Sequence, residues 1–264
     1  MRPINHSGHR FLVAGGTGDV GEGIVRSFLR AGAIVAVPSR SAEKLARLRQ
    51  TIMDDPQLDV SAQEHLITIE GRLDTEEEAA DLRDRVLEHV GQIDGVIASL
   101  SGPSMRDTQK TGPLLTVSIE TWREIIEHNL TIHFVAAKTF LPVLTGRTGA
   151  SYTFISGGGG EAVKPDDAAV SVALAGQLML ARACAKELGE DLRVNTLVLC
   201  TPIVARSRTE IQPTWLTANE VGAYTAYLAS DDASSVRGQL IRFTHRSELN
   251  ELGIAPLPRN TPRP

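Results

Sequence analysis

Gly15, Gly18 and Gly21 stand three residues apart in the stretch FLVAGGTGDVGEGI, Phe11 to Ile24. That spacing suits the binding of a pyrophosphate. Glycine takes a positive φ in a tight turn and lets a ligand come close to bare backbone. An apolar run, Phe11–Ala14, leads into the turn, and Ile24, Val25, Phe28 and Leu29 recur at helical spacing behind it. The pattern is strand, tight turn, helix. Such a helix opens with unpaired N–H groups and the positive end of its dipole, which favours an anion. Gly15, Thr17, Gly18, Val20 and Gly21 are therefore candidate cofactor-binding residues. A glycine turn with no ligand is the plainer alternative. Asp19 brings a carboxylate near the expected anion, which is unfavourable unless it points away or caps the helix.

A second chemical signal follows Ala33–Val37, which reads as the next parallel strand. A carboxylate at the end of this strand would bind a ribose 2′-hydroxyl. The residues there are Ser39 and Arg40 instead. A guanidinium suits a 2′-phosphate, so NADP(H) is expected ahead of NAD(H). Further on, Ser99-Leu100-Ser101-Gly102-Pro103 forms a small-residue turn after the strand Ile93–Ala98, and Gly102 joins the cofactor candidates. Four glycines, Gly157–Gly160, follow the strand Tyr152–Ser156. They suit either an anion-binding array of amides or a mobile loop. The spacing of Asp, Glu and His shows no metal cluster.

The elements that must position these residues alternate. Strands are read at 11–14, 33–37, 66–70, 93–98 and 152–156, and helices at 41–50, 75–90, from about 118, and 167–188. Leu82, Val86 and Val90 form one helical stripe for a sheet to cover. The expected fold is α/β, a doubly wound parallel sheet with helices on both faces. Neither linker nor repeat divides the 264 residues, so one domain is expected over 1–264, with 1–9 and 245–264 as extended tails. The net charge of −5 and the absence of a basic run argue against a nucleic-acid partner. Cys184 and Cys200 fit a reducing cytoplasm better than a disulfide framework. The start of the chain has no apolar signal-like run, and no stretch is read as a membrane span, so a cytoplasmic protein is expected. Asp166 and Asp167 are expected to cap the helix that follows them. His128 and His133 are read as packed or surface histidines, and Cys200 as a small buried cysteine.

This order of parts resembles the short-chain dehydrogenase/reductase superfamily. Thr121–Leu144 looks like its central helix with an asparagine, here Asn129. Leu192–Asn195 is similar to its sixth-strand motif. Thr217–Leu240 is similar to its closing helix and strand, with Gly238 at the turn. The resemblance runs from about Phe11 to Ile241 and implies a Rossmann-type fold. It also implies an NAD(P)-dependent oxidoreductase acting on a small carbonyl or alcohol. There are departures. Ala14 and Asp19 replace the threonine and middle glycine of the first turn. Arg72 stands where an adenine-contacting acid often lies, with Asp74 close by, and Leu199-Cys200 replaces a Pro-Gly pair.

The largest departure is catalytic. The superfamily pairs a serine with a tyrosine and a lysine four residues apart on one helical face. Here the resemblance puts Val170 at the tyrosine position, Leu174 at the lysine position and Gly157 at the serine position. Asn129 and Ser156 remain as candidate catalytic residues, although Ser156 is one residue early and faces the opposite side by strand alternation. Lys164 lies in the preceding loop. Two readings follow, an NADP-preferring oxidoreductase with a rebuilt proton relay, or an inactive cofactor-sensing or partner-subunit protein. Non-redox chemistry in the same pocket is a third. The loop Thr201–Leu216 names no substrate. The helix from about Asp167 is apolar on nearly every side, and the resemblance implies pairing of that helix in a homo-oligomer, a dimer or tetramer.

Overall fold

The computed structural model describes residues 4–101, 112–163 and 165–251; Gly102 and Lys164 lie outside them. β1 (Arg10–Ala14) feeds α1 (Asp19–Arg30) through the glycine turn, and β2 (Ile34–Ser39) leads to α2 (Ala42–Met53). A short α3 (Val60–Glu64), not foreseen from the sequence, precedes β3 (Leu66–Glu70) and α4 (Glu76–Val90). β4 (Gly95–Ala98) is followed by α5 (Ile119–Ile126) and α6 (Ile132–Leu144), which a π-type turn at Glu127–Thr131 joins into one bent rod. Then come β5 (Ser151–Gly157), α7 (Ala168–Leu188) and β6 (Arg193–Leu199). Two short strands, β7 (Ile203–Val204) and β8 (Leu216–Thr217), lead to α8 (Ala218–Ala229), β9 (Leu240–Phe243) and α9 (Glu248–Glu251).

The main sheet is parallel throughout, in the order β3-β2-β1-β4-β5-β6-β9. The order reverses between β1 and β4, and at such a switch point the carboxyl ends of the strands open a crevice. The central strands are apolar on both faces because helices cover both faces. One core lies under α1, α2 and α8, around Val13, Phe28 and Val35. The other lies under α4, α6 and α7, around Leu12, Phe140 and Tyr152. Burial of this kind, at about 25 cal/mol per Å² of apolar surface, is the main stabilising term.

α1 and α8 approach closely at two glycines, and the Ser27 hydroxyl bonds across the contact to the Asn219 carbonyl at 3.1 Å. A Cβ on Gly23 would lie 2.2 Å from the backbone carbon of Ala218, and one on Gly222 would lie 2.3 Å from the carbonyl oxygen of Gly23. Two expectations need correction. Residues 4–9 are no loose tail, since Ile4 packs on the first core and the buried His6 ring bonds the Ala226 carbonyl at 2.9 Å. At the other end Leu249 is buried. Second, α7 spans 21 residues and by length and composition is apolar enough to cross a membrane. Its Ala169, Ala173, Leu178 and Ala181 are buried within the fold.

Candidate functional site

The glycine turn is built by contact as well as by φ. Gly15 has φ +83°, and a Cβ there would lie 2.1 Å from the Ser99 carbonyl oxygen, so the β1 turn and the end of β4 touch. A Cβ on Gly21 would meet the Gly15 oxygen at 2.1 Å. Gly18 donates to the Gly15 carbonyl at 3.0 Å and forms the N-cap of α1. It has no side chain to occupy the first helical amides, which a ligand can therefore use. Thr17 is buried, and Arg47 donates to its carbonyl at 3.3 Å, bracing the turn from α2; Val20 is half-buried against the first core.

Asp19 is held by the loop that follows β6. Its carboxylate accepts from the Ser207 hydroxyl and lies 3.6 Å from the Arg206 guanidinium. Arg206 also lies 3.5 Å from Glu22, which pairs with Arg26 at 3.1 Å. Asp19 does not cap α1, whose N-cap is Gly18; the loop after β6 supplies its partners. Those partners were not legible because they lie 187 and 188 positions away.

At the carboxyl ends of β2 and β3 a cleft of about 250 Å³ is lined by Arg40, Arg72, Leu73, Asp74, Glu127, His128 and Ile132. Arg40 is half-exposed, with Nη1 3.9 Å from Asp74 Oδ1. The Ser39 hydroxyl accepts from the Ser41 amide at 3.2 Å at the start of α2.

The carboxyl end of β5 carries a different arrangement. The Ser156 hydroxyl donates to Gln177 Oε1 at 2.8 Å, and Gln177 Nε2 donates to the Ile155 carbonyl at 3.0 Å. The His133 Nε2 donates to the Leu100 carbonyl at 2.9 Å, and its Nδ1 accepts from the Gln177 amide at 3.4 Å. Because that carbonyl can only accept, Nε2 carries the ring proton. Burial pushes the His133 pKa down to about 4, so the ring is neutral at ordinary pH. Ser156, Gln177 and His133 are all buried and form a closed set between β5, α6 and α7. Asn129 lies in the π-type turn, where Nδ2 donates to the Ile125 carbonyl at 2.9 Å. The structure thus commits both candidate catalytic side chains to internal bonds. In the sequence Gln177 stood out only as the long polar residue of an apolar helix.

Val170 and Leu174 lie four residues apart on α7. Val170 packs with Ile125, Ala169 and Ala173, and Leu174 Cδ1 lies 3.4 Å from where a Cβ on Gly157 would be. Gly158–Gly160 forms a 3-10 turn pressed onto α7 and Cys200, and Cys200 is exposed where the sequence suggested a buried cysteine. A Cβ at Gly158 would lie 2.8 Å from Cys200 Cα, and one at Gly160 would lie 2.9 Å from the Leu174 backbone. Of the two readings of the glycine run, a mobile loop does not match this packing. Asp167 occupies the N-cap of α7 but makes no side-chain cap bond, which corrects the expectation for that residue. Among the described residues no group of three His, Cys, Asp or Glu side chains is placed to hold a metal ion.

Residues 16–243 match the family model described as enoyl-(acyl carrier protein) reductase. The chain belongs to the short-chain dehydrogenase/reductase superfamily. Solved structures of this superfamily share its fold. A short-chain type dehydrogenase/reductase from Mycobacterium ulcerans is 23% identical, with a TM-score of 0.79 over 90% of this chain and 89% of that one. The citronellol catabolism dehydrogenase of Pseudomonas aeruginosa PAO1 is 23% identical, with a TM-score of 0.75 over 92% and 96%. A double mutant of a Serratia marcescens short-chain dehydrogenase/reductase is 16% identical, with a TM-score of 0.75 over 92% and 98%. No curated protein matches the sequence.

Short-chain dehydrogenase/reductases are oxidoreductases that generally bind NAD(P). The residues present fit the diphosphate part of such a cofactor. At Gly15 and Gly21 a side chain would collide with backbone, and at Gly18 the helix start is left uncapped.

Proposed function

We propose that this short-chain dehydrogenase/reductase binds NADP(H) in preference to NAD(H) and has lost the superfamily's proton relay. When bound, the nicotinamide supplies or accepts a hydride. The chain's own residues hold the cofactor: Gly15, Thr17, Gly18, Val20 and Gly21 at the diphosphate, and Ser39 and Arg40 at the 2′-phosphate. The observation that carries the second half is the apolar character of α7 at these two positions, where Leu174 lies against Gly157 rather than serine and Val170 packs against Ile125. Neither can donate a proton or carry charge. The reading is a cofactor-binding protein, acting as a sensor or as a partner subunit, with at most slow chemistry on a small carbonyl or alcohol.

Calorimetric titration with NADPH and NADH tests the first half. NADPH is expected to bind tighter, and Arg40→Ala to shrink the difference by about 1.5–3 kcal/mol, the range for a charged hydrogen bond. Equal affinities in the parent protein would remove the preference, and no binding of either would remove the cofactor.

The outer face of α7 bears on assembly. Val172 is 44% exposed and Met179 60%, and Phe134 on α6 is 49% exposed. Apolar side chains on the outside of a core helix mark a surface that gains from being covered. We propose that a second copy of the chain covers it. Light scattering at micromolar concentration should give a dimer or tetramer, and a monomer would refute this.

A further inference from the structure

Two guanidinium groups share one carboxylate in the cleft beside β2 and β3. Arg72 Nη2 lies 2.6 Å and Arg72 Nε 2.8 Å from Asp74 Oδ2, while Arg40 Nη1 is 3.9 Å from Asp74 Oδ1. Arg72 Nε is also 3.5 Å from Glu78 Oε1, and Glu127 and His128 line the same cleft. Both arginine side chains are about half exposed, so a ligand can reach them.

We propose that Arg72 is a second binding residue for the ribose 2′-phosphate, beside Arg40, and that Asp74 is an internal competitor that sets the strength of that site. This rests on the dinucleotide reading given above. The phosphate monoester of NADP carries up to two negative charges, and a planar guanidinium fork matches its oxygens. Asp74 holds the fork of Arg72 in place and keeps Arg40 close. Solvent-exposed ion pairs of this kind are weak, so a phosphate can displace the carboxylate at small expense. Asp74 also repels the incoming anion. Removing its charge while keeping its shape therefore tightens the site, although Asp74 binds nothing of the phosphate itself.

The test compares the affinities of adenosine 2′,5′-bisphosphate and ADP, measured by calorimetry on the full chain at low salt, with thermal unfolding as the check on folding. The parent should favour the 2′,5′-bisphosphate. Arg72→Ala should lower the ratio of the two affinities about tenfold or more, the effect of losing one charged hydrogen bond. Asp74→Asn should raise it about threefold. An unchanged ratio in Arg72→Ala, or a lowered one in Asp74→Asn, overturns the proposal. A parent ratio of one with ADP still bound overturns it and leaves the dinucleotide reading standing. If neither compound binds, both fall together.

Discussion

Simple ketones and secondary alcohols, offered with NADP(H) or NAD(H) over a broad pH range, are expected to turn over far more slowly than about one per second, the lower end of ordinary enzyme rates. A positioned general acid is typically worth 10²–10⁴ in rate. Val170 and Leu174 supply none, and the hydroxyls near them do not replace it. Ser156 is bonded to Gln177 inside the fold, and Ser171 is buried below Gly159. The tyrosines are no better placed. Tyr152 lies on β5 in the second core, where burial pushes its pKa up, and Tyr224 packs in the first core, where burial pushes it up to about 12. Tyr227 lies beside Tyr224 on α8. Lys164 is outside the described residues, so the assay includes Lys164→Ala. Turnover near one per second on an unactivated ketone, surviving both Lys164→Ala and Ser156→Ala, would show that the relay has been rebuilt elsewhere.

Arg193→Met is expected to destabilise the protein by about 3 kcal/mol or more, and to lower its melting temperature by roughly 10 °C, given about 2–4 °C per kcal/mol for chains of this size. Arg193 begins β6 and is 2% exposed. Its Nη1 donates to the carbonyls of Leu228 and Ser230 at 3.3 and 2.9 Å, and its Nη2 to those of Gly149 and Ala229 at 2.6 and 3.2 Å. One cation thus closes the carboxyl end of α8, where the last carbonyls have no helical partner and the dipole is negative. Burial pulls the Arg193 pKa below its ordinary value, yet guanidinium starts so high that it stays charged. Methionine fills similar volume and leaves four carbonyls short of a donor. Arg193→Lys should fall between the two, because an ammonium cannot fork to both sides. Thermal unfolding followed by circular dichroism measures the effect, and a shift under about 2 °C in Arg193→Met would overturn the account.

The sheet was legible because each central strand is an apolar run between a turn and an amphipathic helix. Apolar patterning carries that information locally, and the five strands read at 11–14, 33–37, 66–70, 93–98 and 152–156 all lie in the main sheet. α3 and the small β7–β8 pair were not legible, since five-residue and two-residue elements leave no period to count. The π-type turn at Glu127–Thr131 was hidden inside a regular helical pattern. In the site, the close approaches behind Gly15 and Gly21 follow from glycine spacing, whereas the partners of Asp19 lie on a remote loop and that of Ser156 on a separate helix. Side chains that meet across the fold leave no mark on their local sequence. Gln177 was visible as an oddity, but its purpose needed His133 and Ser156 beside it.

The contact of Gly23 with Ala218 and Gly222 governs which parts of the molecule can travel. α1 begins at the glycine turn, and α8 begins where the loop 201–216 ends. Backbone meets backbone at these glycines, and the Ser27 hydroxyl ties the two helices by bonding the Asn219 carbonyl at 3.1 Å, so they resist shear as one strut. The floor beneath both ends of the crevice is therefore stiff. The clasp of Arg206 and Ser207 on Asp19 sits instead at the exposed start of that strut, where a contact opens at less cost than one inside a core.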